Sequence, residues 1–107
     1  MLEKDFEELA GKTLNKIADA LDKFDEAGDL ECDYQNGIIT ITLNSGRQFI
    51  LNKHAPSRQI WLSSPLSGGK HFSYDAASGN WKLVDGAQLN NLLSEELKKL
   101  ADIDIML

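Results

Sequence analysis

The sequence predicts an α+β fold: a two-layer α/β sandwich with two helices packed on one face of an antiparallel sheet of about six strands, ordered α-β6-α. Three observations predict it. Apolar residues recur at three- and four-residue spacing through the first two dozen positions, alternate with polar ones through the middle, and return to helical spacing near the end. The connections between the alternating segments are short and rich in Asn, Ser and Gly, which favours antiparallel neighbours. At 107 residues, 42% hydrophobic and 26% charged, the chain is sized for one globular domain, residues 1–107, with a single core.

Leu2, Phe6, Leu9, Thr13, Ile17, Leu21 and Phe24, with Ala10 and Leu14 beside them, mark one amphipathic helix over about residues 2–24, and Gly28 closes the stretch. Leu30, Cys32 and Tyr34 then alternate with Glu31 and Asp33, and Ile39, Ile41 and Leu43 alternate with Thr40 and Thr42. Asn36-Gly37 between them is a two-residue hairpin turn that needs positive φ twice. It sets Tyr34 opposite Ile39, Cys32 opposite Ile41 and Leu30 opposite Leu43, all on one apolar face. A three-residue turn at Asn44-Ser45-Gly46, with Gly46 left-handed, brings Phe49 opposite Ile41 and Leu51 opposite Ile39. Further strands are expected at about 58–63, after Pro56, and at 70–74 and 80–83, the last two separated by Ala77-Ser78-Gly79. Asp85 and Gln88 have the spacing of a capping box that opens the closing helix, whose buried stripe is Leu89, Leu92, Leu93, Leu97 and Leu100.

Charge is concentrated at one end. The net charge is −6, yet residues 1–33 hold eleven acids against four lysines, a balance of −7, and the remainder carries +1. Such a surface repels phosphate backbones and anionic lipids and attracts cations and basic protein patches, so neither nucleic acid nor membrane is an expected partner. No apolar run approaches the ~18–20 residues that span a bilayer. Glu3, Asp5, Glu7 and Glu8 argue against a secretory signal or an Arg-rich transit peptide at this N-terminus, and Cys32 has no second cysteine to pair with. A cytoplasmic location is the expectation.

Two surfaces could carry chemistry. The first is an acidic strip: Asp19, Asp22, Asp25 and Glu26 late in the helix, then Asp29, Glu31 and Asp33. Asp22 and Glu26 are four apart and share a helical face with Asp19, while Glu31 and Asp33 project from the polar face of the first strand. Carboxylates so placed repel one another, and a hard cation relieves that repulsion. Oxygen donors suit Mg, Ca, Mn and iron in open, hydrated, weak and plural sites, so cobalt, manganese and lanthanides should bind there as well. The same pattern also describes a solvated acidic face that aids solubility. The second surface is the outward face of the sheet. If Ile60 and Leu62 face the core, Gln59, Trp61 and Ser63 face away, with Asn52 near. Trp61 should then be largely solvent-exposed, as either a binding hot spot or an indole covered locally by a loop or a lysine stem. Trp81, on the side of Leu83, should be buried.

Other candidates fail. An EF-hand over residues 25–33 lacks the ligand spacing and closing Glu. Cys32 reads as a small buried hydrophobe, and His54 and His71 as surface histidines without ligand spacing. Ser63-Ser64 has no nucleophile elbow, and Ser67-Gly68-Gly69-Lys70 lacks the Walker spacing. No catalytic constellation assembles, so an enzyme is not expected.

Asn52-Lys53, Pro56, Gln59-Ile60-Trp61-Leu62-Ser63-Ser64-Pro65, Ser67-Gly68, Phe72, Tyr74, Trp81, Leu92-Leu93 and Glu96-Leu97 together resemble the frataxin family. The run Gln59 to Pro65 is its most specific part. Leu21-Asp22, Asp25, Asp29, Glu31-Cys32-Asp33, Asn36-Gly37 and Thr40-Ile41-Thr42 resemble the bacterial, CyaY-type branch. The resemblance implies a frataxin-like sandwich that binds ferrous and ferric iron weakly and contacts a cysteine desulfurase and its iron–sulfur scaffold protein, as regulator or iron donor. It implies a metal and docking ridge at Asp19, Asp22, Asp25, Glu26, Asp29, Glu31 and Asp33, and a sheet-face partner site at Asn52, Gln59 and Trp61. It further implies a monomer without metal that can form iron-driven oligomers. Lys23 departs from the pattern, standing where bacterial relatives often carry another acid, and should lower local metal affinity. Two other functions remain open: a metal-independent acidic module that docks a basic partner, and an oxidase of ferrous iron, which would need a defined metal pair and an oxygen site.

Overall fold

The computed structural model describes residues 1–24, 28 and 30–107. Helix α1 spans Glu3–Phe24 and buries Phe6, Ala10, Leu14, Ile17, Ala18 and Leu21, a single stripe at helical spacing. Glu3 and Asp5 in its first turn and Lys23 in its last complement the helix dipole. Six strands follow: β1 Leu30–Gln35, β2 Ile38–Leu43, β3 Gln48–His54, β4 Gln59–Ser64, β5 Gly68–Asp75 and β6 Asn80–Lys82, before α2 at Leu89–Ala101. Their order in the sheet is their order in the chain, each antiparallel to the next.

The first two hairpins have the expected register. Asn36 and Gly37 take φ of 52° and 75°, and Tyr34, Cys32 and Leu30 lie opposite Ile39, Ile41 and Leu43. Gly46, at φ 89°, allows the Leu43 N–H to reach the Arg47 carbonyl at 2.9 Å, which places Phe49 opposite Ile41 and Leu51 opposite Ile39. The alternating inward residues and the helix stripes meet in one core containing Phe6, Phe49, Phe72, Ile41 and Ile60, each fully buried. Helix α1 packs on β1 and β3, and α2 packs on β6. Cys32 sits half-buried against this core.

Four segments differ from expectation. One 3₁₀ turn, Ala55–Ser57, joins β3 to β4 and ends on Arg58 at φ 55°, so β4 starts at Gln59 rather than 58 and runs on to Ser64. Gly68, at φ 83°, turns the chain directly into β5, which is longer than 70–74 at both ends. Strand β6 stops at Lys82, one residue early. The capping box does not form: Gln88 is the residue before α2 and makes no side-chain cap. Asp85 instead accepts the Ala87 N–H at 2.9 Å, and Leu83 N–H bonds the Ala87 carbonyl at 2.9 Å. Gly86, at φ 93°, lets residues 83–87 fold back so that Gln88 bridges Lys82. The Asp85 carboxylate is thereby used in a local turn before the helix begins.

Helix α2 buries Leu89, Leu93 and Leu97, with Leu92 and Leu100 partly covered. It also buries Glu96, whose carboxylate accepts hydrogen bonds from Ser64 Oγ and, at 2.7 Å, from Ser67 Oγ. Ser64 Oγ in turn accepts the N–H groups of Leu66 and Ser67 at 3.0 and 3.1 Å. One buried carboxylate thus clamps the β4–β5 turn to the helix layer.

Candidate functional site

The acidic strip is divided by the edge of the sheet. Asp19 and Asp22 are exposed on the last turns of α1, in the helix layer. Glu31 and Asp33 are exposed on β1, which is the edge strand, and alternation turns them to the face opposite α1. Asp25, Glu26 and Asp29 lie outside the described residues. Among the described residues, no three His, Cys, Asp or Glu converge on a point where a metal could sit, and Asp19, Asp22, Glu31 and Asp33 form no ion pair with a described residue. The donor set is oxygen-only and open to water, which fits a hydrated hard cation held by one or two carboxylates at a time.

The outward face of the sheet is a more constructed surface. Trp61 lies opposite Asn52 of β3 and His71 of β5. Ile60 and Leu62 point into the core, as expected, and the helices leave the indole uncovered. It is nevertheless half-buried rather than largely exposed, because two histidines cover it. His54 stacks on one side at 3.6 Å between ring centroids and 9° between planes, and His71 on the other at 4.1 Å and 12°. The indole N–H donates to Gln59 Oε1 at 3.0 Å, and Gln59 Nε2 donates to Ser73 Oγ at 3.1 Å. Asn52, Gln59 and Trp61 are therefore brought together, and His54 and His71 join them. Sequence reasoning missed the two histidines. The signal for His71 was present: a turn closing between Ser64 and Gly68 puts it directly across from Trp61.

Beside the stack, a shallow groove of about 250 Å³ runs between Ile50, Asn52, Trp61 and His71. Ile50 and Ile38 are exposed apolar residues on the same face. At its far side the Ser78 hydroxyl, and then the Lys82 ammonium 3.0 Å away, hold the Asp75 carboxyl below its usual range. Trp81 is buried as expected, 3% exposed, and donates its N–H to Thr13 Oγ1 at 2.9 Å across the two layers.

Residues 1–103 match the model of the frataxin-like domain. The chain belongs to the frataxin family. It is 38% identical to the mitochondrial frataxin of Arabidopsis thaliana and 37% identical to the mitochondrial frataxin homolog of Schizosaccharomyces pombe, covering 98% and 89% of this chain but 58% and 63% of those proteins. The chain thus spans about three-fifths of the length of these frataxins. Among solved structures, the frataxin of Psychromonas ingrahamii, described within the CyaY protein family, matches with a TM-score of 0.85 at 25% identity, over 98% of this chain and 96% of that one. That match supports the bacterial branch. Trimeric frataxin of Saccharomyces cerevisiae, solved in complex with ferrous iron, matches with a TM-score of 0.77 at 30% identity, over 89% of this chain and 87% of that one. The α-β6-α sandwich is accordingly the frataxin fold. No helix among the described residues is long and apolar enough to cross a membrane.

Proposed function

We propose that this chain is an iron-binding adaptor of iron–sulfur cluster assembly. It holds ferrous and ferric iron weakly on the carboxylates at the end of α1 and along β1, and it docks on a cysteine desulfurase and its scaffold protein. Frataxin-family membership supports this reading, as does the ferrous complex of the yeast relative. The single observation that carries it is the set of exposed carboxylates at Asp19, Asp22, Glu31 and Asp33, without ion-pair partners among the described residues, in the segment that holds the whole negative balance. Such groups choose a cation by charge and hardness, so manganese, cobalt and lanthanides should substitute for iron.

The test is a backbone amide titration by NMR, first with ferrous iron under anaerobic conditions and then with the desulfurase. Shifts confined to Asp19–Asp33 on adding iron support the metal ridge, and shifts centred on His54 or His71 refute it. A desulfurase affinity that is the same with and without iron favours the metal-independent docking module. Light scattering during the same titration checks that the chain is monomeric before metal is added and whether iron drives association.

A further inference from the structure

We propose that the outer-face docking site recognises an acidic segment of its partner, and that His54 and His71, rather than the indole between them, supply the recognition. This rests on reading that face as a docking surface. Both faces of Trp61 are occupied by imidazoles, and its N–H is committed to Gln59. The indole therefore has neither a free π face nor a free donor to offer. What reaches solvent is the common edge of three stacked rings, and its polar atoms are imidazole nitrogens. His54 Nδ1 contacts Ser57 Oγ at 2.7 Å, which leaves Nε2 for a partner, and His71 is exposed. Because the stack already holds both rings, little side-chain freedom is lost on binding.

The charge at the centre of this face depends on those two rings. Around His54, Ser57 bonds the ring, Gln59 lies opposite on β4, and the one charged group of the adjoining turn, the Arg58 guanidinium, is turned to the Ala55 carbonyl. Around His71, Lys70 and Asp85 flank one groove, and Tyr74, Asp75 and Lys82 the other. Lys82 is paired with Asp75 at 3.0 Å, and Lys70 and Asp85 carry opposite signs. The outward acids Glu31 and Asp33 lie on β1, beyond β2. Imidazole is the side chain whose ordinary charge change falls between pH 5 and 8. A proton on either imidazole makes that ring a cation at the centre of this face, and such a ring stays stacked, since a cation over an indole face is attracted by the ring quadrupole. A partner that presents carboxylates is the complement of such a face.

The experiment is calorimetric titration of the full chain with the desulfurase–scaffold complex at pH 8 and pH 6, for the wild type, His54→Gln with His71→Gln, and Trp61→Ala. Two exposed charge pairs correspond to roughly tenfold tighter binding at pH 6 than at pH 8 in the wild type. The double histidine variant should lose most of that gain, and any titration of the partner itself is common to both chains and cancels. Melting curves at both pH values verify that the variants are folded. An equal gain in the double variant and the wild type overturns the assignment to the imidazoles. Weaker wild-type binding at pH 6, relieved in the double variant, means a basic partner and overturns it also. If neither the double histidine variant nor Trp61→Ala changes affinity at either pH value, the outer face is not the docking surface, and the underlying reading falls first.

Discussion

Truncating each tryptophan to alanine should separate the core from the outer face. Trp81 is 3% exposed, lies edge-on to Phe6 at 5.9 Å and 80°, and is tilted on Tyr74 at 5.3 Å. Removing a buried aromatic side chain costs ~3–5 kcal/mol, and losing the bond to Thr13 adds about 1 kcal/mol, limited because the half-exposed hydroxyl can turn to water. A domain of this size is stable by about 5–15 kcal/mol, so Trp81→Ala should lower Tm by roughly 15–30 °C. Trp61 contributes differently. Its truncation removes two stacked pairs at the surface, each about 0.5–1.5 kcal/mol, for a total of about 1–3 kcal/mol. Trp81→Phe keeps most of the buried area and should cost less than Trp81→Ala. Urea melts followed by far-ultraviolet circular dichroism give the comparison. The reasoning is refuted if Trp61→Ala costs as much as Trp81→Ala, because strand β4 would then have to face the other way.

Glu96→Ala should cost ~2–4 kcal/mol by leaving Ser64 and Ser67 without their common acceptor; faster amide exchange at Leu66 and Ser67 would locate the damage in the β4–β5 turn. Gly37→Ala should cost about 1–2 kcal/mol, more than Gly46→Ala. Both have positive φ, but a Cβ at Gly37 would come within 2.6 Å of Lys53 Cε and disturb the Lys53–Glu7 ion pair, whereas Gly46 has open space; equal losses in chemical denaturation would contradict this. Asp75→Asn tests a linkage. The folded carboxyl is held below its ordinary value of 3.8, so its contribution is present above that value and is lost as pH falls through the folded one. The stability gap between wild type and Asp75→Asn should be open at pH 6 and close in acid, and a gap that widens below pH 4 would refute the sign.

The hairpins from β1 to β3 were legible because turn chemistry and alternation constrain the same register. A one-residue slip at Asn36-Gly37 would have turned Leu30, Cys32 and Tyr34 to solvent. Closing residues 83–87 was not legible in the same way. Asp85 and Gln88 have capping-box spacing, and only the backbone return through Gly86 decides that Asp85 bonds Ala87 instead. The outward direction of Trp61 followed from Ile60 and Leu62, but its covering did not. His54 reaches the indole only because a single 3₁₀ turn and the left-handed Arg58 put it opposite Gln59, beside Trp61. The acidic strip was readable as composition and as faces of two elements. That β1 turns Glu31 and Asp33 away from the helix layer was implied by alternation, while the division of the strip by the sheet edge depends on how α1 packs on β1.

Because the sheet is an open meander, β1 is an edge strand, with β2 its one neighbour among the described strands. Such an edge is a template for another chain's strand, and proteins blunt it with short strands or charge. At the opposite border β6 is only three residues long. β1 is twice that length, six residues, and its outward side chains include Glu31 and Asp33. Two copies approaching edge to edge meet like charges before their backbones can pair. Replacing Glu31 by Gln and Asp33 by Asn should therefore change colloidal behaviour more than folding stability, with aggregation at concentrations the parent chain tolerates and melting curves nearly superimposed. Anything else that neutralises both carboxylates, a bound cation included, lowers the same barrier to association.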